Sequence, residues 1–243
     1  MSRKDLSIVV PCYNEKDNLE ILFSKIISII SKYEYIKFIL VDNGSTDGSY
    51  EKIKRFTNEN KSSTECLKID KNIGYGWGIS KGLEICNTKF LGWTHADLQT
   101  DLLDTIKAFE LLKTKKYADM NIVKGKRINR NFFDNLFTFG MSMVSSITLG
   151  AKLDDINAQP KLFTKKFYET LQNIPKDFSL DLYLLYEARK KSVNIDYIDV
   201  DFHKRRYGVS KGGGTIFGKF KLVIRTFKYI INLKKEYDRN NYS

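Results

Sequence analysis

Three prolines, three cysteines and no long uncharged apolar run define what this 243-residue chain is not. The cysteines, Cys12, Cys66 and Cys86, are odd in number and widely spaced. They offer neither a disulfide framework nor a zinc site, and three ordinary thiols in a reducing compartment are expected. No stretch of about 18 apolar residues exists, and no apolar leader follows Met1, so no membrane span is expected and synthesis is assigned to the cytoplasm. Linkers of low complexity and internal repeats are also missing. With 42% hydrophobic and 13% aromatic residues, the chain is long enough for one sizeable core. Two phosphate-binding loops are absent as well. No G-x-G-x-x-G follows the first strand, and no G-x-x-x-x-G-K-[ST] occurs, which excludes the Rossmann fingerprint and P-loop triphosphate hydrolysis.

Acidic residues are missing from one long segment. Between His203 and Lys235 there are ten Lys or Arg and no Asp or Glu, within a net charge of +12. Such a stretch seeks phosphates. No nucleic-acid motif accompanies it, so a nucleic-acid partner is not expected.

What is present alternates. Leu6–Val10 reads as a first strand, and Asn18–Ile30 carries Leu19, Leu22, Phe23, Ile26, Ile27 and Ile30 at helical spacing. Lys37–Val41 reads as a second strand, followed by a turn and a helix to about Asn58. A strand near Cys66–Ile69, a glycine-rich turn and a helix to Cys86 come next, then strand Lys89–Thr94. This β-α-β-α-β-α-β order predicts a mostly parallel sheet with helices on both faces. Beyond it the pattern predicts a helix over roughly Asp101–Lys115, strand Met120–Val123, a helix within Phe132–Leu149 and strand Lys161–Phe163. Helices near Lys165–Gln172 and Ser179–Lys190 and strand Asn194–Phe202 follow. Thr215–Lys235 reads as a basic, aromatic amphipathic helix, suited to an anionic membrane interface.

Three strand exits carry polar groups: Asn14 and Glu15, then Asp42 and Asn43, then His95, Asp97 and Gln99. In open α/β sheets such exits share one crevice, so one site is expected. Asp42 can accept hydrogen bonds from a base or ribose, and Gly74, Gly76 and Gly78 allow close backbone approach.

Val9-Val10-Pro11-Cys12-Tyr13-Asn14-Glu15, Val41-Asp42-Asn43-Gly44-Ser45-Thr46-Asp47-Gly48 and His95-Ala96-Asp97-Leu98-Gln99 resemble successive motifs of inverting family 2 glycosyltransferases of GT-A fold. Asp155-Ile156-Asn157-Ala158-Gln159-Pro160-Lys161 and Arg206-Tyr207-Gly208-Val209-Ser210-Lys211 extend the likeness. It is strongest to the dolichyl-phosphate mannosyltransferase-like, or polyprenyl-phosphate glycosyltransferase, branch. The resemblance implies a GT-A domain over residues 1–211 and a membrane-surface tail over 212–243.

The resemblance further implies a UDP- or GDP-linked sugar donor, with a divalent cation, Mg²⁺ or Mn²⁺, held by Asp97 and Gln99 on its diphosphate. Pro11, Tyr13, Asn14, Glu15, Asp42, Gly74, Gly76, His95 and Asp97 would bind the donor. Arg127, Arg206, Ser210 and Lys211 would cradle a polyprenyl phosphate at the cytoplasmic membrane face, in a peripherally associated enzyme. Asp97, Arg206 and Asp155 would carry the transfer. His95 departs from the family's D-x-D, where an aspartate stands first, and a second arginine usual after the Arg127 position is absent from Asn131–Phe139. A saccharide hydroxyl acceptor is the alternative, and it would require Asp155 or Asp181 as general base. A non-catalytic nucleotide-sugar-binding subunit is the other.

Overall fold

The computed structural model describes residues 4–129, 142–143, 146–150, 152–203, 224 and 228–231. Its centre is a seven-stranded sheet in the order β3-β2-β1-β4-β6-β5-β7. The strands are β1 (Leu6–Cys12), β2 (Ile36–Asn43), β3 (Thr64–Ile69), β4 (Phe90–Trp93), β5 (Asn121–Ile128), β6 (Lys161–Thr164) and β7 (Asn194–Asp201). Only β6 runs against the others, pairing antiparallel with β4 and β5. The predicted mostly parallel sheet is present. The strand order turns back at β1, whose neighbours are β2 and β4. At such a switch point the two following chains diverge and leave a crevice.

The strands lack a clean apolar–polar alternation because both faces are covered. Val9, Ile39, Val41, Leu91 and Trp93 face one core, with α3 (Tyr75–Glu84) and α6 (Leu180–Lys190) laid over it. Ile8, Val10, Phe38, Leu40 and Phe90 face the other, under α1 (Leu19–Ile30), α2 (Ser49–Glu59) and α4 (Leu103–Lys113). Each such aliphatic side chain contributes about 1.5–3 kcal/mol on full burial. In α1 the buried stripe is Leu19, Leu22, Phe23, Ile26 and Ile29, while Ile27 lies on the solvent side. The predicted face is therefore rotated slightly at its end. Phe23 stacks on Phe56 with centroids 4.1 Å apart, fixing α1 against α2.

The second half deviates more from its predicted elements. The predicted strand at Met120–Val123 runs on to Ile128, after a 3-10 turn at Ala118–Met120. The helix expected to reach Gln172 is one turn only, α5 (Lys165–Tyr168), capped by the Thr164 hydroxyl accepting from the Phe167 amide. Of the predicted helix in Phe132–Leu149, residues 142–143 and 146–149 are helical, and the remainder lies outside the described residues. In the basic tail, residues 224 and 228–231 are helical. Ile230 is buried in the first of these two cores, whereas Ile224 and Ile231 face outward. Among the described residues, no helix is long and apolar enough to cross a membrane.

Candidate active site

The carboxyl ends of β1, β2 and β4 open on one edge of the sheet, and two of their loops are sewn together. Asn14, with φ of 54°, donates its amide to the Ser45 hydroxyl at 3.0 Å, and its side-chain oxygen accepts from the Thr46 amide at 2.8 Å. The Glu15 amide donates to Ser49 Oγ at 3.1 Å and the Lys16 amide to Asp47 Oδ2 at 3.1 Å. Asp47 also accepts from the Ser49 hydroxyl at 2.6 Å. Burial raises the Asp47 carboxyl, but the Ser49 and Lys16 bonds bring it net below its ordinary value. The Asp-Asn-Gly-Ser-Thr-Asp-Gly run is thus more than a turn and helix start. Ser45, Asp47 and Ser49 fasten the β2 loop to the β1 loop. The side-chain oxygen of Asn14, a predicted donor ligand, serves this frame, and the Glu15 carboxylate accepts from Asn18 at 2.5 Å.

Asp42 sits beside Cys12 in the register of β1 and β2, with 1% of its surface exposed. Among the described residues, both of its carboxylate oxygens, and Oδ1 of Asn43, are buried without a hydrogen-bond partner. Burial pushes the Asp42 carboxyl up, and the nearby Ser45 hydroxyl and amide and Lys68 offset this only in part. Orphaned acceptors at a strand end suit the N–H and O–H donors of a nucleoside. The glycines serve differently. A Cβ on Gly74 would fall 2.2 Å from the Lys176 carbonyl oxygen, and one on Gly76 would fall 2.3 Å from that of Pro175. The close approach that demands glycine here is to the chain's own 175–177 loop, which also receives the Trp77 amide on Lys176 O at 2.9 Å.

After β4 the chain turns through Leu98 at φ of 55°, and Asp97 Oδ1 accepts from the Gln99 amide at 3.2 Å. Asp97 is buried at 4% exposure. Gln99 makes two bonds to one residue: its carbonyl accepts from the His203 amide at 2.8 Å, and its side-chain amide donates to the His203 carbonyl at 3.2 Å. Among the described residues, no group of three His, Cys, Asp or Glu could enclose a metal ion. One carboxylate with an amide neighbour fits a hard cation that takes most of its oxygens from a bound diphosphate.

Ion pairs occupy the sheet next to this edge. Arg127 grips Asp155 through its backbone amide at 2.7 Å, through Nε at 2.9 Å and through a further bond from Nη2. Both side chains are nearly buried. Burial raises the Asp155 carboxyl, but the Arg127 bonds and charge outweigh it and hold the group below its ordinary value. Lys161 is fully buried and donates to Asp181 at 2.5 Å. Lys124 stands directly opposite Lys161 on β5, equally buried, and donates to the carbonyls of Asp155 at 2.8 Å and Asp154 at 3.2 Å. Burial, then the charge of Lys161, push the Lys124 ammonium down to about 7. His95 bonds Tyr75 at 2.9 Å. Gln159 then links Tyr75 at 3.3 Å to Asp181 at 3.0 Å.

Of the predicted site residues, Pro11 and Asp42 lie near the ends of β1 and β2, Tyr13, Asn14, Glu15, His95, Asp97 and Gln99 on the loops after β1 and β4, and Gly74 and Gly76 at the start of α3. Arg127 and Asp155 meet each other. Arg206, Ser210 and Lys211 lie outside the described residues. Lys124, Lys161, Tyr75 and Gln159 went unassigned. A lysine inside each of two apolar strands, Ile122–Gly125 and Pro160–Phe163, was the available signal, because lysine is rarely buried unless paired.

A switch-point crevice on a sheet of this order, with polar groups at successive strand ends, defines the GT-A class of nucleotide-sugar fold. The pattern of Glycosyl transferase family 2 matches residues 7–174, and the chain belongs to that family. It is 23% identical to a dolichyl-phosphate beta-glucosyltransferase of Dictyostelium discoideum, over 96% of this chain and 74% of that protein. It is 28% identical to a dolichol-phosphate mannosyltransferase of Pyrococcus furiosus, over 92% of this chain and 64% of that protein. A dodecaprenyl-phosphate galacturonate synthase of Rhizobium johnstonii is 23% identical over 94% of this chain and 65% of its own length. The chain therefore spans about two thirds to three quarters of these relatives. Among solved structures, glucosyl-3-phosphoglycerate synthase of Mycobacterium tuberculosis superposes with a TM-score of 0.71 at 13% identity, over 94% of this chain and 79% of that one. A Pyrobaculum calidifontis mannosyltransferase in complex with GDP-Man and Mn²⁺ superposes with a TM-score of 0.66 at 16% identity, over 96% and 65%.

Proposed function

We propose that the chain transfers a sugar, with inversion, from a nucleotide sugar to a polyprenyl phosphate, working at the cytoplasmic surface of a membrane. The observation that carries the choice of acceptor is the state of the two carboxylates that could act as base. Asp155 is locked onto Arg127, and Asp181 onto Lys161 and Gln159. A hydroxyl acceptor needs a base free to take its proton. A phosphate monoester, with a second pKa of about 6, is already ionised near neutral pH and needs only alignment and charge compensation. The names of the curated relatives, which act on dolichyl or other polyprenyl phosphates, support the same acceptor class.

The division of work follows from the residues. The stitched β1 and β2 loops and the orphaned acceptors of Asp42 and Asn43 would receive the nucleoside. Asp97, with Gln99, would hold a divalent cation, which when bound supplies charge neutralisation for the departing diphosphate. The Gln99–His203 bonds bring the chain to this edge just before its basic stretch begins. Arg127, whose Nη groups are only partly used by Asp155, is the described candidate for the lipid phosphate. Membrane association would rest on the basic tail, from which Ile224 and Ile231 point outward.

The test is a thermal-shift screen of nucleotide sugars with Mn²⁺ or Mg²⁺, followed by transfer assays using membrane lipid extract and mass spectrometry of the product. Sugar on a lipid phosphate, lost in Arg206→Ala while donor hydrolysis persists, supports the proposal. Sugar on a saccharide hydroxyl, with Asp155→Asn or Asp181→Asn as the crippling change, refutes it.

A further inference from the structure

Arg127 stands near the end of β5, and nothing local fixes the direction of so long a side chain. Its direction is set from residue 155. Nε and Nη2 meet the Asp155 carboxylate side-on, Nε at 2.9 Å from Oδ1 and 3.2 Å from Oδ2, and these bonds do not use Nη1. The Phe202 ring covers the guanidinium at 5.1 Å. A planar guanidinium held along one edge and over one face keeps a single direction for its remaining N–H groups. Everything then depends on where the Asp155 carboxylate stands. Asp155 has φ of 38°, a left-handed backbone that residues with a Cβ rarely adopt. Its carbonyl is held twice, accepting from the Ala158 amide at 2.9 Å and from Lys124 Nζ at 2.8 Å. Lys124 also donates to the Asp154 carbonyl at 3.2 Å. Buried lysines are ordinarily paired with a carboxylate, as Lys161 is with Asp181, yet the described hydrogen bonds of Lys124 go to main-chain oxygens alone. A neutral amine keeps two N–H groups, one for each carbonyl, so this hold outlasts loss of the proton that burial disfavours.

We infer that Lys124 is a positioning residue for the acceptor: by clamping the carbonyls of Asp154 and Asp155 it sets the Asp155 carboxylate, which aims the Arg127 guanidinium at the incoming phosphate. The last clause rests on the proposed reading of Arg127 as a ligand of the lipid phosphate; the clamp does not. Residue 155 is tied to β5 through both its main chain and its side chain, since the Arg127 amide also donates to Asp155 Oδ2 at 2.7 Å. A shift of the 154–155 turn by about 1 Å would misdirect the guanidinium, and misplacement on that scale costs up to about 100-fold in rate. The lysine inside this apolar strand thereby has a task that no apolar residue of its length performs.

The experiment compares the full chain with its variant Lys124→Met, which keeps the stem and removes the donors. Transfer is measured with farnesyl phosphate in detergent as acceptor and the nucleotide sugar selected by thermal shift as donor. The KM for farnesyl phosphate should rise about 10–100-fold, as for the loss of a hydrogen bond to a charged group. The Kd of the nucleotide sugar should stay within about 2-fold, the usual scatter between independent sites. In an Arg127→Lys background Lys124→Met should raise the KM little further, because the group it aims has already been replaced. Losses that multiply, or that fall equally on donor and acceptor, make the lysine a general prop and overturn the inference, as does an unchanged KM. A readout independent of activity is hydrogen exchange at Arg127 Nε–H, followed by ¹⁵N resonance without ligand and assigned with Arg127→Lys. Slow exchange is expected in the native chain, and exchange faster by about 10-fold or more in Lys124→Met, as the local hold weakens. Rapid exchange in the native chain overturns the inference even where the variant fails to fold. Native transfer to a saccharide hydroxyl and not to farnesyl phosphate would sink the proposed function, while the exchange rates still decide the clamp.

Discussion

The buried ammonium of Lys124 makes stability depend on pH in a direction opposite to most lysines. Its surface is entirely covered, and its hydrogen bonds go to the two carbonyls of Asp154 and Asp155. From β6 it faces Lys161, from its own strand Arg127, from the following loop Asp154 and Asp155, and from β7 the ring of Tyr197 at 5.1 Å. Burial first, and Lys161 second, lower it from 10.5 to about 7. Between those two values the unfolded chain holds a proton that the folded chain does not. Stability therefore rises with pH across that window. At about 1.4 kcal/mol per pH unit the whole window is worth about 5 kcal/mol, and the accessible part from about pH 7 to 9.5 about 3 kcal/mol. Lys124→Met keeps the apolar stem and removes the titrating group. Its loss of donors to the two carbonyls is a constant offset, unaffected by pH. Urea unfolding of both proteins at intervals from about pH 7 to 9.5 reads the lysine together with its coupling to Lys161, since the titrations of groups remote from it cancel in the difference. The stability of the native chain relative to the variant should climb by about 3 kcal/mol. Profiles that stay parallel within about 0.5 kcal/mol, the usual limit of such differences, would refute the reasoning.

Two further outcomes concern single contacts. Arg127→Ala strands the Asp155 carboxylate in a nearly buried site and should cost about 3–5 kcal/mol by chemical denaturation, whereas Arg127→Met with Asp155→Leu should recover most of it. Since the Asp155 carboxyl is held low in the folded chain, the pair's contribution is complete above the ordinary carboxylate range. It fades only as pH falls through that lowered value; a double variant that stays as unstable as the single one contradicts the account. Gly76→Ala would set a Cβ 2.3 Å from Pro175 O and 2.7 Å from Asp177 O, both backbone atoms. A loss of about 1–3 kcal/mol is expected in a thermal melt, and no loss would mean that the loop yields freely.

The first half of the chain was almost fully legible because local signals and global architecture agree there. Ile8, Val10, Phe38 and Leu40 form apolar runs bounded by turn residues, and each run became a parallel strand buried on both faces. The second half was less so. β6 has four residues and is the one reversed strand, and nothing in Lys161-Leu162-Phe163-Thr164 encodes its direction. In the site, the strand-end positions of Asp42 and Asp97 followed from the motifs. The commitments of Asp155 and Asp181 did not, because the partners, Arg127 and Lys161, lie 28 and 20 residues away and meet them only across the finished sheet. The glycine-rich turn was read as room for a ligand, since a sequence cannot tell which backbone comes close.

The contact of Gly74 and Gly76 with Pro175–Asp177 changes what the connection between α5 and α6 is for. Loops of this kind ordinarily tolerate insertions and are favoured places for tags and cleavage sites. Here the loop's carbonyls press on the turn that heads α3, and Tyr75, which stands between the two glycines, bonds His95. Lengthening the loop would shift that turn with no residue of the site replaced. In engineering this protein the 172–179 connection is to be treated as part of the wall of the proposed donor pocket.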